Sequence, residues 1–405
     1  MIRYSPLWLD RVPKSRRPAH PRLRGEIDTS VVIVGGGLTG AACAASFAAA
    51  GVRVAVLEAD RIGAGATAAS PGLVREDFDG SFQQTASAHG LRAARTLWQG
   101  MRRASLDFAT ALRRAEVRSE LVPQDLLICA PDAAGTKQLR REYQARRDAG
   151  LDHSWLAAGA LQRASSTGFS GAIRTRGFGI DPFRACLGLA AAAAGRGAVL
   201  FERSPVTRIH ARAKLVEVST ASGIVRAEAV VIATGAPLGD LRALRRHFRR
   251  EQGYAVVTEP LRAAVRRELG KRDAALRDSH HPPHFLRWLK DDRVLFAGAD
   301  QEPIAERSLP KALVQRTGQL MYELSLIYPA ISGAQPAWAW AYEHESSADG
   351  LPLIGAHRNF PRHLFALGHG RHGAATAWLA ARILLRLYRG EPERGDELFG
   401  FGRIL

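Results

Sequence analysis

The chain has 405 residues, of which 46% are hydrophobic, so it is long enough for two packed cores and too long for one small domain. It contains no apolar run of about eighteen residues, which excludes a membrane-spanning helix from the predicted elements. The net charge is +18, and only six of the 57 basic residues are lysines. The excess of arginine has two explanations: attraction to an anionic partner, or a coding bias towards arginine.

Residues 1–27 are basic and contain several prolines. We predict an extension that packs on the surface, and we reject a signal peptide because no hydrophobic region follows the arginines. The three cysteines lie far apart in the sequence and form no CxxC pair, so neither a dithiol motif nor a zinc site is expected. A reducing cytoplasm is the expected location.

The stretch VVIVGGGLTG, residues 31–40, predicts a buried parallel strand that runs into a glycine turn. Gly35, Gly37 and Gly40 match the pattern G-x-G-x-x-G, and a helix of small residues follows them as far as Gly51. In this pattern the first glycine allows a tight turn, the second lets a pyrophosphate approach the backbone, and the third lets the helix pack closely on the strand. The helix N-terminus adds free N–H groups and a positive dipole end for phosphates.

A second buried strand, residues 52–58, ends in Glu58, whose carboxylate is suited to the hydroxyls of a ribose. Strand, turn, helix, strand and acid together predict dinucleotide binding. A second glycine-rich segment, RIGAGATAASPGLV at 61–74, follows directly and favours FAD over NAD. Its small residues let backbone lie close along a long cofactor, although an ordinary flexible loop is the alternative.

The densest basic cluster, RALRRHFRR at 242–250, predicts a helix with Leu241, Leu244 and Phe248 facing inward and the arginines in solvent. It has no interleaved aromatic residues and matches no nucleic-acid motif. A nucleic-acid partner is therefore possible but not favoured.

Several further segments complete a resemblance that spans nearly the whole chain. They are IDPFRACLGLAAAAAGRGAVLF at 180–201, SPVTRI at 204–209, AEAVVIATGAP at 227–237, HFLRWLKDDRVLFAGAD at 284–300, SSADGLPLIG at 346–355 and LFALGHGRHGAATAWLAARILL at 364–385. With the N-terminal motif, they make the sequence resemble the FAD-dependent oxidoreductases of the D-amino-acid oxidase, glycine oxidase and sarcosine oxidase superfamily. The N-terminal run also looks like the branch that includes γ-glutamylputrescine oxidoreductase.

The resemblance implies an α/β fold in which a Rossmann-type FAD-binding domain, of the glutathione-reductase kind, is interleaved with a mixed β-sheet substrate domain. The implied FAD-binding domain comprises 28–85, 150–237 and 335–392, the substrate domain comprises 86–149 and 238–334, and 393–405 form a C-terminal tail.

The resemblance also implies the cofactor contacts. These are Gly35, Gly37, Leu38, Thr39, Gly40, Glu58, Ala59, Arg61, Gly65, Ala66, Thr67, Gly72, Leu73, Val206, Ala233, Thr234, Gly235, Gly370, Arg371, His372 and Gly373. The last four lie in a strand–turn–helix segment whose helix N-terminus would stabilise negative charge on a reduced flavin. Relatives that bind flavin covalently use a histidine or cysteine that this chain lacks, so we expect non-covalent FAD.

The implied reaction is hydride transfer from a carbon that bears an amine to flavin N5, giving an imine that water hydrolyses. In relatives that oxidise amino acids, an arginine and a tyrosine hold the carboxylate, and the candidates here are Arg287, Tyr254 and Tyr342. Each has a structural alternative: a rim or sheet-surface position for the arginine and a core position for the tyrosines. Trp338, Trp340 and Tyr342 alternate, so one strand face should carry all three, either beside the flavin or as core.

Other functions stay open at this point. They are oxidation of a hydroxy acid, action on a tRNA base, and a non-catalytic FAD protein. The expected partners are a small amine or amino acid and an electron acceptor, either oxygen or an unknown carrier. No metal is expected, because His280, His281 and His284 are separated by prolines in SHHPPH and there is no HExxH motif.

Overall fold

The computed structural model describes residues 2–371 and 373–403, with the side chain of Asp240 left aside. The strands are β1 (Gly25–Val34), β2 (Val54–Leu57), β3 (Leu73–Arg75), β4 (Val122–Pro123), β5 (Leu126–Ala130), β6 (Ser154–Ala157), β7 (Gly171–Thr175), β8 (Gly177–Gly179), β9 (Val199–Phe201), β10 (Val206–Ala211), β11 (Val216–Thr220), β12 (Gly223–Gly235), β13 (Phe248–Thr258), β14 (Ala275–Asp278), β15 (Phe285–Trp288), β16 (Val294–Gln301), β17 (Pro336–Ser347), β18 (Leu353–His357) and β19 (Phe360–Leu367).

The helices are α1 (Leu7–Asp10), α2 (Leu38–Ala49), α3 (Ala66–Ala69), α4 (Phe82–His89), α5 (Leu91–Arg114), α6 (Ala133–Asp148), α7 (Ala158–Ser165), α8 (Pro182–Ala194), α9 (Ala263–Leu269), α10 (Leu309–Ile327) and α11 (Ala374–Arg389). Short 3₁₀ turns cover Lys14–Arg16, Gly239–His247, Glu306–Ser308, Pro329–Ile331, Asp396–Phe399 and Phe401–Arg403. None of these helices, all within the described ranges, is both long enough and apolar enough to cross a membrane.

The first sheet has the order β10-β11-β12-β1-β2-β9, with β19 beside β12 and β18 beside β19. β1 runs parallel to both β12 and β2, as the apolar run before the glycine turn predicts. Val31 and Ile33 face one core cluster while Val32 and Val34 face another. Both faces of this strand are therefore buried, which explains why its sequence does not alternate with polar residues.

Helices α2, α8 and α11 pack together on one face of the first sheet. Their contact surfaces are rich in alanine, and Gly188 of α8 lies against Val117. Small side chains let the helices approach closely and let α2 press on β1. The N-terminus of α2 is thereby held directly behind the glycine turn.

The second sheet has eight strands in the order β17-β13-β16-β15-β14-β5-β7-β6, and all neighbours are antiparallel except β14 and β5. One face packs on α10 through Tyr254, Val256 and Phe296. The other face, here called the inner face, carries Trp340 and Tyr342 and packs on α3 of the first domain. The mixed sheet agrees with the fold expected from the sequence.

The domain limits differ from the prediction in three places. Strands β6 and β7 belong to the second sheet rather than to the nucleotide domain, and so does β17. Helix α5 packs on α11 although 86–149 was assigned to the substrate domain. In each case tertiary pairing decides the membership, and no local pattern in the sequence carries that information.

The N-terminal segment also differs from the predicted surface extension. Leu7 and Trp8 of α1 are each only 1% exposed and pack between the inner face and the second glycine-rich segment. The basic cluster at 242–250 does place Leu241 and Leu244 inward and its arginines in solvent. However, the backbone there is a 3₁₀ turn rather than the predicted helix, and Phe248 opens β13.

Candidate active site

The glycine turn connects β1 to α2 with very little space. Gly35 has a φ of +106°, and a Cβ there would lie 2.5 Å from the carbonyl oxygen of Ala233. A Cβ at Gly40 would lie 1.8 Å from the carbonyl oxygen of Gly35. Both positions therefore require glycine. Neither has space for a Cβ, and Gly35 also has a positive φ that other residues rarely adopt.

Glu58 turns back onto this glycine turn. Its Oε2 accepts a hydrogen bond from the backbone N–H of Gly36 at 2.6 Å, and its Oε1 accepts one from Asp60 at 2.9 Å. Thr67, from the second glycine-rich segment, accepts a hydrogen bond from the N–H of Leu38 at 2.8 Å. The acid and both glycine-rich segments thus meet at the N-terminus of α2, where a phosphate would bind.

The other predicted cofactor residues lie at or next to the ends of helices and strands. Leu38 and Thr39 open α2, Ala59 and Arg61 follow β2, Ala66 and Thr67 open α3, Leu73 opens β3, Val206 opens β10, and Ala233, Thr234 and Gly235 end β12. Apart from each glycine and its two chain neighbours, no described atom lies within 4 Å of a Cβ built on Gly65 or Gly235. The backbone therefore has open space beside it at two points where a cofactor was expected.

Three buried side chains hold successive carbonyl groups at the end of the second glycine-rich segment. Trp340 Nε1 donates to the oxygen of Ala69 at 2.9 Å, and Trp8 Nε1 donates to that of Ser70 at 2.8 Å. Arg287 Nη1 donates to Pro71 at 3.1 Å and to Gly72 at 2.6 Å. The donors come from β17, α1 and β15, so three separate elements hold this segment in place.

Arg287 therefore holds backbone through Nη1, while its buried Nε has no hydrogen-bond partner among the described residues, and its role as a carboxylate clamp stays a prediction. Its Nη1 also donates to the carbonyl of Ile180 at 2.7 Å, and its guanidinium stacks over the Trp8 ring. Burial, together with the nearby charge of Arg11, lowers the pKa of Arg287 to about 10. The sequence placed this residue in a strand of the substrate sheet, with a rim or sheet-surface position as the alternative, and gave no sign of the carbonyl groups that accept hydrogen bonds from Nη1.

The C-terminal glycine turn lies against the inner face just before α11. Gly370 has a φ of +68°, its N–H donates to the carbonyl of Glu345 at 3.0 Å, and a Cβ there would lie 2.3 Å from Oδ2 of Asp79. The N–H of Arg371 donates to the same carboxylate at 3.0 Å. Gly373 caps α11, while His372, another predicted contact, lies outside the described residues.

A buried polar cluster joins this turn to the second sheet, here called the inner cluster: Glu251, Asp300, Tyr342, His344 and Arg371. Arg371 Nε binds Asp300 Oδ2 closely, and its Nη2 lies 3.6 Å from Glu251 Oε2. His344 Nε2 lies 3.3 Å from the same oxygen of Asp300. Because β13 and β17 pair Glu251 with His344 and Gly253 with Tyr342, these side chains share one face.

Electrostatics keep the inner cluster charged in spite of its burial. Burial alone would raise the pKa of Asp300, but the hydrogen bond with His344 and the charge of Arg371 hold it below the usual value. Burial likewise disfavours the charge on Arg371, yet Asp300 and Asp79 raise its pKa above the usual value. Burial and the negative charge of Asp300 raise the pKa of Tyr342 well above that of a free phenol, so its hydroxyl stays protonated.

Tyr342 and Tyr254 lie on opposite faces of the second sheet. Tyr342 is on the inner face with Trp340, and Trp338 packs against the same cluster, as the alternation predicts. Tyr254 is fully buried on the helix side, where its hydroxyl accepts a hydrogen bond from Gln301 at 2.9 Å and Arg316 of α10 lies over its ring. The predicted pocket role of Tyr254 is therefore wrong, and it is a core residue.

Sequence reasoning missed Asp79, Glu251, Asp300 and His344 as site residues. One signal was available for His344, because it continues the alternation of Trp338, Trp340 and Tyr342 by one more step. Asp300 ends the segment HFLRWLKDDRVLFAGAD, which carries part of the family resemblance, whereas Asp79 and Glu251 gave no local signal.

The histidine-rich loop gathers around a buried acid. Asp278 Oδ2 lies 2.8 Å from His280 Nδ1 and 2.6 Å from His284 Nδ1, while Oδ1 accepts from the backbone N–H groups of both histidines. One ligand atom from each of these three residues lies within 4.8 Å of the others. Both carboxylate oxygens of Asp278 thus have partners within the loop, and these contacts hold the two histidines in place. The expectation that no metal binds here stays a prediction.

The family model described as FAD dependent oxidoreductase (DAO) matches residues 30–387, which is most of the chain. The chain belongs to this family.

Relatives and solved structures agree with the family. The chain is 26% identical to γ-glutamylputrescine oxidoreductase of Escherichia coli (strain K12), covering 92% of this chain and 87% of the relative. It is also 26% identical to glycine oxidase of Bacillus licheniformis, with 94% and 97% covered. The crystal structure of glycine oxidase from Geobacillus kaustophilus superposes with a TM-score of 0.75 at 23% identity, over 92% of this chain and 98% of that one. The last comparison supports the fold.

The FAD of this family fits the residues present. The steric limits at Gly35 and Gly40, the acid at Glu58 and the open space beside Gly65 and Gly235 all suit a dinucleotide. The chain is therefore an FAD-dependent oxidoreductase of the DAO family.

Proposed function

We propose that this DAO-family enzyme oxidises the C–N bond of a small amine or amino acid, giving an imine that water hydrolyses to a carbonyl compound. Bound FAD would supply the chemistry by accepting a hydride, which carries two electrons, from the carbon next to the nitrogen. The protein has to hold that C–H bond in place and keep bulk water away.

The observation that carries the proposal is where the inner cluster lies. It is between the C-terminal glycine turn, predicted to contact the flavin, and the inner face of the second sheet. On β17, Trp340 donates to the second glycine-rich segment, and His344 contacts Asp300, which binds Arg371 of the C-terminal glycine turn. Tyr342 lies between Trp340 and His344 on the same strand face, and so between these two segments, both predicted to contact the flavin. The names of the relatives, an amine-type oxidoreductase and glycine oxidases, support nitrogen-bearing substrates.

Reaction stoichiometry tests the proposal. The purified holoprotein is mixed anaerobically with less than one equivalent of each amine or amino acid, and the reduced flavin, carbonyl product and released nitrogen compound are measured. We expect equal amounts of the three for at least one substrate. Flavin reduction by a hydroxy acid, with none by nitrogen compounds, would replace C–N oxidation with C–O oxidation.

The electron acceptor is tested by mixing the reduced enzyme with oxygen. We propose oxygen or a separate electron carrier as acceptor, and fast reoxidation with formation of hydrogen peroxide supports oxygen. Slow reoxidation supports a carrier. FAD is proposed to be non-covalent, so acid precipitation should release all of it into the supernatant.

A further inference from the structure

The C-terminal tail, described from 393 to 403, is fixed to the loop at 348–352 that joins β17 to β18. The side chain of Arg403 makes the connection and is only 7% exposed. Its Nη1 donates to the carbonyl of Phe399 in the tail at 2.7 Å. Its Nη2 donates to the carbonyls of Leu351 at 2.7 Å and Pro352 at 2.9 Å in the loop. One guanidinium group thus holds the backbone of both segments.

A largely buried acid of the loop completes this contact. Arg403 Nε donates to Asp349 Oδ2 at 2.7 Å, and the hydroxyl of Ser347 donates to Oδ1 at 2.6 Å. Burial favours the neutral form of Asp349, but the hydrogen bond and the charge of Arg403 hold its pKa below the usual value. Loss of the guanidinium group would leave a charged acid and two loop carbonyls without their donor, which is costly.

Both ends of the loop pair with residues around the C-terminal glycine turn. Ser346, just before the loop, forms a β-bridge with His369. Leu353, just after the loop, pairs with Leu367 where β18 meets β19. These two partners lie on either side of Gly368, so a displacement of the loop has to displace the turn as well.

The tail also contacts the segment on the other side of the turn. Phe399 lies beside Phe78, with ring centroids 6.4 Å apart, and both belong to the same buried cluster. The next residue, Asp79, accepts a hydrogen bond from the backbone N–H of Arg371 at 3.0 Å. The tail therefore packs against both segments that hold the C-terminal glycine turn.

We propose that Arg403 is a positioning residue for FAD, because by fixing the loop at 348–352 it sets the place of the C-terminal glycine turn beside the flavin. The inference goes beyond the proposed oxidation of a C–N bond, and it rests on the predicted contact of this turn with FAD. It gives the C-terminal tail a role in cofactor binding that its sequence did not indicate.

Apoprotein variants titrated with FAD test the proposal, with flavin fluorescence as the signal for binding. Glutamine in Arg403→Gln supplies neither the charge nor the set of donors, so the FAD dissociation constant should rise about fivefold or more. The visible circular dichroism of the bound flavin should change too, since it reports the protein groups around the isoalloxazine ring. Arg403→Lys keeps the charge and should recover part of the affinity.

Arg362→Gln is the matched control. The Arg362 guanidinium also holds backbone, since it donates to the carbonyls of Arg212 at 3.3 Å and Glu228 at 3.1 Å. It lies near the start of β19, whereas the C-terminal glycine turn follows the end of that strand. We expect this variant to bind FAD with unchanged affinity and an unchanged flavin spectrum.

Urea unfolding of the apoproteins separates positioning from a general loss of stability. Both glutamine variants should lower the free energy of unfolding, but only Arg403→Gln should change the flavin signals. A folded Arg403→Gln protein with wild-type FAD affinity and circular dichroism would overturn the proposal. Asp349→Asn removes the charge pair from the loop side and has to shift both flavin signals in the same direction, even where Arg403→Gln does not fold. No substrate enters this test, so its failure leaves the proposed oxidation standing.

Discussion

Replacing Trp8 with phenylalanine tests whether the N-terminal segment forms part of the cofactor site. Trp8 is 1% exposed and donates its indole N–H to the carbonyl of Ser70 at 2.8 Å, within the second glycine-rich segment. Phenylalanine keeps an aromatic ring but leaves this buried carbonyl without its donor. Such a loss costs about 1–3 kcal/mol.

Part of that cost should appear in FAD affinity, because the peptide at Ser70 can turn to find another donor and so displace the segment predicted to lie along the cofactor. Since about 1.4 kcal/mol is a tenfold change, half of that cost would raise the FAD dissociation constant of Trp8→Phe between about twofold and about tenfold. The remainder should appear as a lower free energy of unfolding of the apoprotein.

The assay is titration of apoprotein with FAD, followed by flavin fluorescence, together with urea unfolding. Trp338→Phe is the matched control, because its indole donates at 2.9 Å to the partly exposed Asp10 of the same N-terminal segment. We expect little change in that variant. If Trp8→Phe destabilises the apoprotein and leaves FAD affinity unchanged, the segment has only a structural role.

Three other predictions concern separate sites. Gly40→Ala should abolish FAD binding or folding, since its Cβ would meet a carbonyl oxygen at 1.8 Å, and retention of bound flavin would contradict this. Tyr342→Phe should leave the melting temperature unchanged but slow anaerobic flavin reduction about tenfold, the value of one hydrogen bond to a charged group; unchanged reduction would remove Tyr342 from the site. His284 lies between Asp278 and Glu323, whose charges outweigh burial and raise its pKa, so its stabilising effect should be complete below about pH 6.5 and lost as pH rises through the folded pKa. The difference in unfolding free energy between wild type and His284→Gln should therefore shrink between pH 6 and pH 9, by about 1.4 kcal/mol for each pH unit by which folding raises the pKa of His284. A difference that stays constant over this pH range would contradict the prediction.

The sequence predicts well the parts of the site that depend on neighbouring residues. Gly35, Gly40 and Glu58 belong to one continuous strand–turn–helix–strand segment, whose geometry is local and whose steric limits the structure shows. The alternation in β17 likewise put Trp340 and Tyr342 on one face.

The parts that failed depend on contacts between distant segments. The carbonyl contacts of Arg287 Nη1 depend on Gly72 and Ile180, which no pattern around Arg287 reveals. Tyr254 begins an apolar stretch, and only the pairing of β13 decides that it faces α10. For the same reason, the place of Glu251 in the inner cluster and the buried position of Trp8 could not be found from the sequence.

The most direct test of the account is the visible spectrum of the purified holoprotein, recorded without oxygen before and after each of a panel of amines, amino acids and hydroxy acids is added. The account predicts loss of the oxidised flavin band with one or more amines. A flavin band that survives every nitrogen compound and bleaches with a hydroxy acid would contradict it.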